Sequence, residues 1–138
     1  MITETTTGLA AEYIAAAAIL ELGWRVSMAQ QDRVDLVAWS EDQFLRVQVK
    51  GSNIRHNNGH AAGYHFQLGC GSTKKKLPSR DDYDVMALVA IPARRVLFFP
   101  VEAIQQYTKR ATPKRFEDPD IEIDSWAKTL EVINARRK

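Results

Sequence analysis

The chain has almost no cysteine. Cys70 stands alone, so no internal disulfide can form and no thiolate zinc site can be assembled. Long apolar runs are also missing. The run that includes Ala15 to Leu20 stops at Glu21 and is too short to span a bilayer. The opening residues, MITETTTG, lack the basic start of a secretory signal. These absences predict a reducing, cytoplasmic setting with no membrane association. A further absence is local. No acid occurs between Gln43 and Arg80, a block of 38 residues that carries seven bases and all three histidines. The bases are Arg46, Lys50, Arg55, Lys74, Lys75, Lys76 and Arg80. Seven acids and two bases precede the block and ten of each follow it, so the net charge of +2 conceals the asymmetry. Positive potential gathered in this way suits a polyanion partner. A solvated basic loop balanced by acids elsewhere is the competing account and ranks somewhat below it.

What is present fits one domain over residues 1–138, with 45% apolar and 26% charged residues. Thr5 to Thr7 can cap a helix from about Gly8 to Leu22, which Gly23 ends. Strands are predicted at 24–29, 34–40, 44–51 and 64–68, with QQD as a turn after the first. The segments 84–91 and 95–100 read as two apolar strands. A short helix is predicted at 102–107, irregular chain at 108–123, and a last helix at 125–136 capped by Asp124. Helix, strands, helix in this order predicts an α/β fold with a mixed sheet flanked by helices.

The runs VDLVAWS and FLRVQVKGS read as one hairpin turning at Glu41-Asp42. Trp39 then faces Phe44, Val37 faces Arg46, and Asp35 faces Gln48. Lys50 shares the face of Gln48. The opposite face holds Val34, Leu36, Ala38, Leu45, Val47 and Val49, all apolar, and a one-residue slip would mix the two faces. An exposed hairpin whose polar face meets water would give the same alternation. Glu12 argues against that simple account. It is the only charge of LAAEYIAAAAIL, in a helix that must be largely buried. A buried carboxylate needs a partner or a metal. A salt bridge to a sheet arginine or lysine is the alternative to a metal.

Together these residues resemble the PD-(D/E)XK nuclease superfamily: an acid on one strand, Asp35, an acid-X-Lys triplet on the next, and a helix glutamate, Glu12. Lys50 matches the lysine, and Gln48 departs from the acid of the triplet. The branch of group I intron homing endonucleases carries glutamine there in a similar V-Q-V-K setting. The ordered context, G-x-x-x-E, R-V-D-L, R-V-Q-V-K, Y-D-V and V-x-F-x-P, also resembles that branch over residues 8–104, leaving 105–138 as a C-terminal extension. The resemblance implies an αβββαβ core, Mg²⁺-dependent cleavage of double-stranded DNA with Mn²⁺ as a possible substitute, a homo-oligomer (dimer or tetramer), and a bacterial or phage-infected cell. It implies that Asp35, Glu12, Gln48 and the Val49 carbonyl hold the metal while Lys50 stabilises charge, with activity at millimolar Mg²⁺.

The basic block supplies the DNA contacts on this reading. Lys74, Lys75, Lys76 and Arg80 would track phosphates, and Arg55, Asn53, Asn57, Asn58 and Gln67 are candidates for base edges. A polar surface loop accounts for the asparagines at least as well. His56, His60 and His65 lie in loop-rich sequence without cysteines and suit phosphate contact or exposure better than a metal. Pro119-Asp120-Ile121-Glu122 mimics the motif but lacks the lysine. Two alternatives stay open: a structure-selective nuclease of the Holliday-junction type, and a catalytically degenerate DNA-binding module.

Overall fold

The computed structural model describes residues 3–54, 63–70 and 74–136. Helix α1 spans Glu4–Glu21. It begins four residues earlier than predicted because Thr3, not Thr5 to Thr7, is its cap, with Thr3 Oγ1 accepting from the Thr6 N–H at 3.2 Å. Its end matches the prediction: Gly23 turns the chain out at φ 92°. Ala11, Ala15 and Ile19 form its buried stripe, and the small side chains let the helix lie close to the sheet.

The main sheet has five strands: β1 (Arg25–Gln31), β2 (Val34–Trp39), β3 (Phe44–Ser52), β5 (Val85–Ala90) and β6 (Arg95–Pro100), in the order β1-β2-β3-β5-β6. All neighbours are antiparallel except β3 and β5, which run parallel. β5, VMALVA, is buried along its whole length because it is covered on both faces. The predicted QQD turn gives way to a longer β1 that turns at Asp32-Arg33, with a bulge between Met28 and Gln31 and Gln30 at φ 53°.

Two cores flank the sheet. One gathers Ala11, Ala15, Ile19, Val47, Val49, Val85, Ala87, Val89, Phe98 and Trp126 under the helices. The other gathers Tyr64, Phe66, Met86, Leu88, Ala90, Leu97 and Phe116 on the opposite face. Among the described residues the connection from β3 to β5 contains a short strand, β4 (Tyr64–Gln67), rather than a helix. β4 pairs with β7 (Thr108–Ala111) in a separate two-stranded ribbon. Residues 108–111 were expected to be irregular; TKRA has no apolar alternation to mark a strand, and pairing with β4 makes it one. The expected helix at 102–107 is a single 3-10 turn at Val101–Ala103.

Helix α2 (Ile121–Ala135) also starts four residues before the prediction, at Asp120 rather than Asp124. Tertiary contacts draw it back. Ile121 is buried in the second core, and two side chains of its first turns bond the free edge of β6. The Val96 N–H donates to Glu122 Oε2 at 2.8 Å and the Phe98 N–H to Ser125 Oγ at 3.0 Å. Pro100 closes the same edge with no N–H to offer. This is the role of the glutamate in the Pro119–Glu122 motif mimic: it seals an edge strand against pairing with another chain.

Candidate active site

The hairpin register is the predicted one for Trp39↔Phe44, Ala38↔Leu45, Val37↔Arg46 and Leu36↔Val47. There the ladder stops, one residue short of Asp35. Val34, expected beside Leu36, instead packs half-buried against the opposite core. The strand therefore bends away from β3 at Asp35, and a side chain takes over from the main chain. Asp35 Oδ2 accepts the Val49 N–H at 2.8 Å and Gln48 Nε2 at 3.1 Å. A residue's N–H and C=O leave an extended strand on the same side, so the Val49 carbonyl also faces this gap.

Burial pushes the Asp35 carboxyl up, and it outweighs the Val49 N–H bond and the Lys50 charge, which pull the other way. Glu12 reaches the same place from α1. Burial, and then the charge of Asp35, push its carboxyl up as well. The salt bridge weighed as an alternative role for Glu12 is not formed: among the described residues Glu12 has no cationic partner, and Lys50 has no carboxylate partner. Two half-buried carboxylates that repel each other, without a basic group bonded to either, form a pocket of negative potential that a hard cation would relieve. No group of three or more His, Cys, Asp or Glu ligands forms among the described residues. The further oxygens at hand are neutral, the Gln48 amide and the Val49 carbonyl.

Gly51 brings Glu12 within range, a role the sequence reading did not assign. A Cβ at Gly51 would lie 2.6 Å from Ala11 Cβ and 3.0 Å from Ile91 Cδ1. The missing side chain lets α1 settle directly on β3, one residue after Lys50 and one before Glu12 on the facing helix. A glycine inside an otherwise good strand was the available signal.

Part of the proposed DNA-contact set falls within the described residues. Asn53, Gln67, Lys74, Lys75, Lys76 and Arg80 are exposed, and Arg55, Asn57 and Asn58, with His56 and His60, lie outside the described residues. Arg46 leaves the basic block altogether. It bonds Asp84 through Nε at 3.2 Å, and Arg136 approaches the other Asp84 oxygen at 2.9 Å. This network ties the strand starts of β3 and β5 to the end of α2.

A model of the PD-(D/E)XK endonuclease family matches residues 2–129. Protein 5.3 of Escherichia phage T7 is 30% identical over 112 residues, which is 79% of this chain and 90% of that protein. Among solved structures, the bacterial homing endonuclease I-Ssp6803I has the same fold, with a TM-score of 0.73 over 99% of both chains at 21% identity. The match in sequence over nearly the whole length, together with the shared fold, shows that this chain belongs to the PD-(D/E)XK endonuclease family.

Proposed function

We propose that the protein is a Mg²⁺-dependent endonuclease of double-stranded DNA, similar in action to a homing endonuclease, with Mn²⁺ able to substitute. The observation that carries this reading is the convergence of Asp35 and Glu12, both pushed up by burial, where β2 parts from β3 beside Gln48 and Lys50. Asp35 and Glu12 would hold the cation, with the Val49 carbonyl and the Gln48 amide oxygen as neutral ligands. The bound cation would supply Lewis-acid polarisation of the scissile phosphate and a more acidic water. Lys50 orients the attacking water and offsets the charge that develops on the phosphate oxygens. Both donors on Asp35 bond Oδ2, which leaves Oδ1 as the oxygen offered to the cation. Gln48 fixes Asp35 and lowers the charge of the site by one relative to the usual triplet.

The test is nicking and linearisation of plasmid DNA with and without Mg²⁺. Asp35→Ala and Lys50→Ala should cleave at least about a hundredfold more slowly while still binding DNA. Equal rates in the wild type and both variants would sink the mechanism. The low carboxylate count favours one second reading, a DNA-binding module without cleavage; binding without Mg²⁺-dependent cuts would establish it. Cutting of four-way junctions in preference to linear duplex would point to the Holliday-junction type.

Cutting both strands of a duplex calls for two sites and hence a homo-oligomer, dimer or tetramer. The outer face of α1 supports this, with Leu9 45%, Tyr13 60% and Leu20 55% exposed. Among the described residues no helix is long and apolar enough to cross a membrane, and the phage relative agrees with action inside a bacterial or phage-infected cell.

A further inference from the structure

We infer that the β4–β7 ribbon is the element that reads bases, inserted into the major groove with Arg110 and Gln67 as its reading side chains. The inference rests on the duplex-DNA reading above.

The ribbon has two unlike faces. Tyr64 and Phe66 point inward and are 2% and 1% exposed. Phe116 backs both, with ring centroids 5.1 Å and 6.4 Å away. By strand alternation the other face carries His65 and Gln67 from β4 and Thr108 and Arg110 from β7, paired as His65↔Arg110 and Gln67↔Thr108. Gln67, Thr108 and Arg110 are exposed. Neither strand contains an acid, so the whole face suits a polyanion. The base of the ribbon is closed by the Tyr107 carbonyl, which accepts from the Leu68 N–H at 2.7 Å and the Gly69 N–H at 3.2 Å. Lys109 is steadied by Phe99, its Nζ 5.9 Å from the ring centroid. A rigidly backed pair of strands with a polar outer face is the shape that the major groove, about 12 Å wide, admits.

Its position is fixed relative to the cleavage site. The core beneath the ribbon contains Met86, Leu88 and Ala90, the β5 partners of Gln48, Lys50 and Ser52. The ribbon therefore covers the face of the sheet that bears Gln48 and Lys50. Ser52 Oγ accepts the His65 N–H at 3.1 Å. Ser52 stands two residues after Lys50, about 7 Å along the strand, so a ribbon held by Ser52 would read bases close to the scissile phosphate. Arginine pairs two donors with O6 and N7 of guanine, and glutamine pairs with N6 and N7 of adenine. An arginine that touched only phosphate would add affinity without sequence preference.

The experiment compares wild type, Arg110→Ala, Arg110→Lys and Gln67→Ala. Cleavage of a randomised duplex library with Mg²⁺ is followed by end sequencing, alongside duplex binding over a salt series. In the wild type a guanine preference is expected near the cut. Arg110→Ala should lose it by about tenfold or more, whereas Arg110→Lys keeps the salt dependence of binding because it keeps the charge. Gln67→Ala should relax an adenine position only. Unaltered preference in Arg110→Ala, a uniform loss across all sequences in Arg110→Ala, or a wild type that cuts with no preference would each overturn the ribbon assignment and leave the nuclease reading standing. A wild type that neither binds nor cuts duplex DNA would overturn both.

Discussion

Gln48 donates its side-chain N–H to the same Asp35 oxygen that takes the Val49 N–H, at 3.1 Å and 2.8 Å. A glutamate at position 48 would put a second anion where Asp35 now finds a donor. Gln48→Glu should therefore destabilise the metal-free protein by about 1–2 kcal/mol and lower the Mg²⁺ concentration needed for half-maximal nicking. Thermal unfolding in chelator and a Mg²⁺ titration of activity measure the two effects. An unchanged metal-free melting temperature would show that Gln48 does not hold Asp35.

Gly51→Ala should cost about 1–3 kcal/mol through overpacking. The new methyl would meet Ala11 and Ile91 at 2.6 Å and 3.0 Å, lifting α1 and with it Glu12. Cleavage should fall more than DNA affinity does. The double substitution Gly51→Ala with Ala11→Gly should recover part of both. Full stability in Gly51→Ala alone would refute the close approach.

Asp84 supplies a pH dependence. Burial alone would push its carboxyl up, but the side-chain and main-chain donors of Arg46 and the Arg136 side chain outweigh burial and hold it below the ordinary value of 3.8. A depressed carboxylate stabilises the fold above its unfolded value and stops doing so as pH falls through its folded value. Asp84→Asn should be about 2 kcal/mol less stable near neutral pH. The gap should begin to close below about pH 3.8. Denaturant melts from pH 7 to pH 2 would test this; a gap that stays constant with pH would contradict the assignment.

Ser125→Ala removes the acceptor of the buried Phe98 N–H and should cost about 1–2 kcal/mol. Adding Glu122→Ala frees the Val96 N–H as well and leaves two adjacent donors on an edge strand. The double variant should self-associate at concentrations where the wild type keeps its native oligomeric state. Light scattering would detect this, and identical scattering would show that α2 does not guard the edge.

The hairpin was legible in the sequence because one face of it is wholly apolar. Leu36, Ala38, Leu45, Val47 and Val49 admit a single register, and that register sets Asp35, Gln48 and Lys50 near one another. The break at Asp35 was not legible, because whether a strand stays paired or bends away depends on what packs beneath it, and here Val34 changes sides. The starts of both helices were misjudged by four residues for related reasons. Thr3 is one of several equivalent threonines, and α2 is extended by contacts to β6 that lie distant in sequence.

Composition and order alone determined the α/β class, the acid-free basic block and the place of Asp35, Gln48 and Lys50 on one hairpin, since side-chain period and chemistry are local properties. Only the tertiary structure decided how these residues meet. It withdrew Arg46 from the basic block into a bond with Asp84, brought Glu12 down to Asp35 through the gap left by the Gly51 side chain, and turned Thr108 to Ala111 into a strand. Each of these depends on contacts between segments tens of residues apart, whose energies no local pattern encodes.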